Sequence, residues 1–203
     1  MAGSDVTPVI ISDEVAADPN GVSTIAAVGN NAALTINGAL ASGGSVTNAS
    51  GRQVTILSAG DDDGISFTIV GTDVNGASLT ESLTGADDGT ATSAGFFKTI
   101  ISITAVGDPA GNVTAGINGN AADVVFAGRT RFKGYSIVSG GTAGELDFLN
   151  SGVSGTSFFK ARTLGTDNTT QHYHIPDEGV LFKDGFYVTF TIGTVDMMNF
   201  FFA

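Results

Sequence analysis

Ile65-Ser66-Phe67-Thr68-Ile69-Val70-Gly71-Thr72-Asp73, then Asn75-Gly76, then Leu79-Thr80-Glu81-Ser82-Leu83 carries the strongest fold signal in the chain. Ile65, Phe67 and Ile69 fall on one side of an extended backbone and Ser66 and Thr68 on the other, which is the period of a half-buried strand. Asn75-Gly76 suits the centre of a type I′ turn, where both residues need φ > 0, so the stretch reads as a β-hairpin. The same style repeats outward. Leu34-Thr35-Ile36 stops at Asn37-Gly38, Gln53–Leu57 runs toward Asp61-Asp62-Asp63-Gly64, and Phe96–Val106 is joined to Val113–Ile117 by Gly107–Asn112. Downstream, Tyr135–Val138, Glu145–Leu149, Phe158–Leu164, His172–Ile175, Val180–Phe182 and Phe186–Ile192 are further strand candidates. No window of a dozen residues shows a capped 3.6-residue period. The expected fold is all-β, with two small β-sandwich or barrel-like domains.

Composition agrees with a folded body. The 203 residues include 29 Gly and 4 Pro, well short of the roughly 25–30 % Gly plus Pro of low-complexity chains. At 42 % apolar and 14 % charged residues, the chain can bury a core. The absence of Cys excludes disulfides, thiolate metal sites and thiol catalysis. No apolar run approaches the ~18 residues of a membrane span, and Met1-Ala2-Gly3-Ser4-Asp5 has neither the basic nor the apolar region of a cleaved leader. The expectation is a soluble protein with no membrane partner.

Charge divides the sequence. Residues 1–128 hold thirteen acids against Arg52 and Lys98, while 129–203 hold seven acids against six bases; thirteen of the seventeen Phe and Tyr residues lie in the later part. This predicts an acidic β domain over 22–127 and an aromatic-rich β domain over 128–203. Residues 1–21 read as an N-terminal arm, because Pro8 and Pro19 with Asp13, Glu14 and Asp18 flank a single β-prone triplet, Val9-Ile10-Ile11. That triplet needs an edge to pair with, either in its own domain or, as the arm reading has it, on a neighbouring chain. An acidic body repels phosphate backbones, which argues against nucleic acid as a partner. Arg129, Arg131 and Lys133 share one face of a strand, readable as a solvated face or as a contact for an acidic partner surface. The net charge step suggests that this less charged part lies nearer the partner.

Val54–Ile117 resembles a module common in structural proteins of tailed bacteriophages, especially those of marine bacteria. The residues that carry the likeness are Thr55-Ile56, Ala59-Gly60, Phe67–Asp73 with Gly76, Leu79–Gly85, Gly89–Ser93 and Phe97–Ile100. The last seventy residues are similar to a second such module through Gly140–Gly144, Ile175–Val180 and Asp184–Val188. Together these stretches span about two-thirds of the chain. The resemblance implies a virion component: a capsid cement (decoration) protein, or a fibre or tail part. It implies no catalytic residue.

Local constellations add little chemistry. His172-Tyr173-His174 puts two imidazoles on one strand face, a pair that ordinary surface histidines also provide; one chain supplies two ligands and a three-fold axis would supply six. Asp61-Asp62-Asp63-Gly64 and Asp87-Asp88-Gly89 lack EF-hand spacing and read as solvated turn caps, with a weak Ca²⁺ site as the alternative. No nucleophile elbow, phosphate loop or dinucleotide fingerprint is present, so neither an enzyme nor a cofactor is expected. At the C-terminus, Phe200 and Phe202 share one face, readable as a last core strand or as a subunit contact.

The sequence therefore predicts a structural virion protein, most simply a homotrimeric capsid cement protein that docks on the major capsid protein or another virion protein. Val9, Ile10, Ile11, Arg129, Arg131, Lys133, Phe200 and Phe202 are its candidate contact residues, and no metal site is assigned. A tail or head fibre component and a glycan-binding host-recognition module are the alternatives.

Overall fold

A computed structural model of the chain describes residues 6–12 and 14–203. All regular elements among them are strands: β1 (Thr7–Ser12), β2 (Asp18–Ala27), β3 (Ala41–Ser42), β4 (Ser45–Ser58), β5 (Ser66–Thr72), β6 (Ser78–Thr84), β7 (Thr90–Thr92), β8 (Phe97–Val106), β9 (Asn112–Phe126), β10 (Thr130–Ser139), β11 (Glu145–Asn150), β12 (Thr156–Arg162), β13 (Thr170–His174), β14 (Val180–Phe182), β15 (Phe186–Thr191) and β16 (Val195–Phe202). The chain is all-β.

It divides into two compact units. One comprises Ala16–Gly119; the other joins Asn120–Ala203 to the N-terminal segment ending at Val15. The expected boundaries at 21 and 127 differ from these for two physical reasons. First, β1 pairs antiparallel with β16, from Thr7↔Phe202 to Ser12↔Met197, so the N-terminal strand belongs to the C-terminal unit. Second, β9 runs without a break through Gly119 and Asn120, lending its first half to one unit and its second half to the other. Counted by unit, charge no longer steps. Ala16–Gly119 has nine acids and two bases, a net of −7, while the other unit has eleven acids and six bases, a net of −5. The aromatic asymmetry survives, because fourteen of the seventeen Phe and Tyr residues lie in the unit holding Asn120–Ala203.

The acidic unit is built on the ladder β4-β8-β5-β6, with β2 paired to the first half of β9 and with β3 and β7 on β4. Its core holds Val22, Val54, Ile56, Phe67, Ile69, Phe97, Ile100 and Ile103. Phe67 and Ile69 are fully buried, as the period of two in β5 requires. The β5–β6 turn differs from the expected one. Asp73 accepts a backbone bond from Gly76 at 3.0 Å and its Oδ1 accepts from Asn75 and Ala77, both at 2.9 Å. Only Gly76 (φ 78°) takes the left-handed conformation, so an Asp-capped turn followed by one glycine replaces the two-residue I′ loop. At Gly71, where the β5–β8 register shifts, an added Cβ would sit 1.9 Å from the Thr99 carbonyl oxygen.

The aromatic unit is a sandwich. One sheet has the order β1-β16-β10-β13, with β14 also on β10; the facing ladder is β12-β11-β15 plus the second half of β9. Phe132 and Phe200 from the first sheet meet Phe148 and Phe186 from the second, with Phe132–Phe186 centroids at 5.0 Å and Phe148–Phe200 at 5.6 Å edge to face. Aromatic pairs in such geometry contribute about 0.5–1.5 kcal/mol each beyond the area they bury. A bulge at Lys133-Gly134 breaks the alternation of β10. Phe132 and Tyr135, three residues apart, therefore both pack toward this core.

Candidate functional site

The outer face of the β1-β16-β10-β13 sheet gathers more of the sequence-predicted residues than any other surface. Register places Pro8, Phe201, Gly134 and His174 in one cross-strand row and Ile10, Asn199, Ser136 and His172 in the next. Gly134 and Ser136 form a low floor between larger side chains. The result is a shallow depression of about 350 Å³ lined by Val6, Lys133, Gly134, His172, His174 and Phe201. Gly134 has φ 150°, and a Cβ there would lie 2.2 Å from the Tyr173 carbonyl oxygen, so the floor at that point admits only glycine.

The Val9-Ile10-Ile11 triplet splits as a strand must. Ile11 is 6 % exposed and lies in the core, Val9 packs against that core, and Ile10 is 62 % exposed on the outer face. The edge this segment uses is β16 of its own chain. Phe200 and Phe202 likewise belong to the core, at 0 % and 6 % exposure, so they are not available to a partner, whereas Phe201 between them faces outward. Val6 and Met197, at 52 % and 37 % exposure, extend the apolar strip along β1 and β16. Of the predicted contact residues, Ile10 alone is an exposed apolar group.

The basic stripe is largely engaged at home. Arg131 Nε lies 3.4 Å from Glu178 Oε2, its Nη1 donates to the Glu178 carbonyl at 3.2 Å, and Lys133 Nζ donates to the Asp177 carbonyl at 2.7 Å. These bonds fasten the β13–β14 loop to the outer side of β10. Arg129 stands exposed just before that strand.

The two acidic turns meet, which their spacing in the sequence did not show. Asp61 and Asp87 form an antiparallel bridge, and Asp88 donates its backbone N–H to Gly60. Asp62 is not a solvated cap. It is fully buried, and its Oδ1 accepts the Ala110 N–H at 2.8 Å. Glu81 performs an unforeseen structural task, its two carboxylate oxygens accepting the N–H groups of Ala94 and Gly95 at 2.7 and 2.8 Å. Among the described residues no three His, Asp or Glu side chains converge as a metal centre within one chain.

Among the described residues, three ionisable groups of the aromatic unit are shifted. Burial, reinforced by neighbouring Tyr173, pushes the Tyr135 phenol up. The hydrogen bond from Lys160 at 2.6 Å holds the Glu145 carboxyl below its usual range, and the same bond, with Asp147 nearby, raises Lys160. This exposed cluster ties β11 to β12. Comparison of the chain with protein families, curated proteins and solved structures finds no match.

Proposed function

We propose that the chain is a structural virion protein, and that it acts as a capsid cement protein assembling as a homotrimer on the head of a tailed phage. The observation that carries this reading is the exposed apolar strip of Val6, Ile10 and Met197 on one sheet face, a surface of the kind that assembling proteins cover with a neighbour. The phage-module resemblance of Val54–Ile117 and of the last seventy residues gives the strip its context. The contact surface proposed is now the β1–β16 outer face with Arg129 nearby; Phe200 and Phe202 support it from beneath.

Electron cryo-microscopy of virions that carry this chain tests the proposal. Density for three copies around each local three-fold site of the head is the expected result. Density on a tail or fibre would move the protein to that alternative, and its absence from purified particles would overturn the virion reading. Ile10→Asp and Met197→Asp together should abolish incorporation while leaving the far-ultraviolet circular dichroism unchanged.

A further inference from the structure

We propose that β13 is a metal-dependent pairing edge, along which two copies of the chain join antiparallel and share one divalent ion of the imidazole-preferring class, Zn²⁺, Ni²⁺ or Cu²⁺, between two His172 and two His174. This lies outside the cement reading and does not depend on it.

The argument begins with backbone direction. Ile175 donates to the Lys133 carbonyl at 2.8 Å and Ser139 donates to the Thr169 carbonyl at 2.9 Å. These bonds bracket the unbroken register Gly134↔His174 to Val138↔Thr170. In an antiparallel ladder the direction of N–H and C=O alternates residue by residue. Residues 169, 171, 173 and 175 therefore turn their backbone groups toward β10, and Thr170, His172 and His174 turn theirs outward. Among the described residues β13 pairs with β10 alone, and Thr170, His172, Tyr173 and His174 are all exposed. The segment Thr-Gln-His-Tyr-His has no Pro, no Lys and no bulge, the devices that normally protect an edge.

Parity then selects the pairing. With Tyr173 opposite Tyr173 of the second copy, His172 faces His174 of that copy and the reverse, and both are hydrogen-bonded pairs because both residues present outward groups. Opposed Cα atoms in such pairs are about 5.5 Å apart, and residues two apart on a strand are about 6.6 Å apart. All four imidazoles rise from one face of the joined sheet in a compact quartet, which matches the four-ligand preference of such ions. One chain alone lacks a third ligand, in keeping with the absence of a three-residue centre among the described residues. Five residues of strand make a small interface, too small to hold two copies together until the ion is bound.

The test uses the full chain without a histidine tag. Sedimentation velocity in EDTA gives the basal species, and half an equivalent of Zn²⁺ or Ni²⁺ should double its mass, with titration calorimetry reporting one ion per two chains. EDTA should reverse the doubling. His172→Ala with His174→Ala should lower affinity at least 100-fold and abolish the doubling; both side chains are exposed, so the variant keeps its circular dichroism. Binding of one ion per chain without a change in mass would overturn the proposal. So would metal-dependent association that the double variant retains.

Discussion

Replacing Ile11 by Ala separates two accounts of the N-terminal strand more sharply than deletion does. Ile11 is 6 % exposed among the core residues of the aromatic unit, whereas Ile10, next to it, is 62 % exposed. An Ile→Ala change in a core costs about 2–5 kcal/mol through lost transfer energy and the cavity left behind. Because β1 is the edge of its sheet, where neighbours can relax, the lower part of that range applies, about 2.5 kcal/mol. Ile10→Ala, on an open face, should stay within about 0.5 kcal/mol of the parent. With a urea slope of about 2 kcal/mol per M, the first change lowers the midpoint by about 1.2 M and the second by less than about 0.3 M. All three tyrosines, Tyr135, Tyr173 and Tyr187, lie in this unit and the chain has no Trp, so tyrosine fluorescence reports on it selectively. The Ile11→Ala midpoint should also be the same at 1 and 100 µM protein. Equal effects of the two substitutions, or a cost for Ile11→Ala that shrinks as protein concentration rises, would refute intramolecular pairing and restore the arm that docks on another chain.

Gly71→Ala should destabilise the acidic unit by at least about 2 kcal/mol, read as loss of β-sheet dichroism at lower urea, because the added carbon meets a backbone oxygen that cannot swing aside. Glu81→Ala should speed amide exchange at Ala94 and Gly95 while leaving the Phe67 amide protected; unchanged exchange at the first two would deny the carboxylate its role. Arg131→Glu should change stability by less than about 1 kcal/mol, since its partner Glu178 is mostly solvent-exposed. Tyr135, raised in the fold, is held in its protonated form, so its contribution is complete below the ordinary phenol value near 10 and is lost as pH rises through its own higher value. An ultraviolet titration should therefore show Tyr135 ionising above the ordinary phenol value, with stability falling over that alkaline range. Glu145, lowered by Lys160, works in the opposite direction, its contribution present above the ordinary carboxyl range and lost as pH falls through its depressed value; a carboxyl-carbon NMR titration of Lys160→Ala should return it upward.

The parts of this fold that could be read from sequence are those whose determinants are local. Strands β5 and β6 alternate cleanly and end in Asp or Gly turns, and they form where the pattern places them, as do the short apolar runs of β14 and β15. Even there the turn chemistry escaped, because Asn75-Gly76 is a strong signal and the deciding group is the Asp73 carboxylate two residues earlier. The pairing of Thr7 with Phe202 joins opposite ends of the chain, and no local pattern encodes that. Nor could the division inside β9 be seen, since Gly119-Asn120 sits in a strand with no change of composition. Apolarity showed that Phe200 and Phe202 would be hidden, but not by what. For the candidate site, His172 and His174 were visible as a pair on one face. Their neighbours Gly134 and Phe201 became neighbours only through the register of three strands and a bulge.

The antiparallel pairing of β1 with β16 also determines how the protein meets mechanical load. Thr7 and Phe202 stand opposite each other at one end of that ladder, and Ser12 and Met197 at the other. Tension applied between the two ends of the chain acts at the Thr7–Phe202 end and opens the pairs in succession, like a zipper, so that the force needed is that of one rung at a time. Tension applied along the strands, between Ser12 and Phe202, would shear all the rungs together and meet far more resistance. Single-molecule pulling in the two geometries should give a low rupture force for the first and a high one for the second. The protein thus gives way easily when held by both ends, and hardly at all when gripped lengthwise along this sheet.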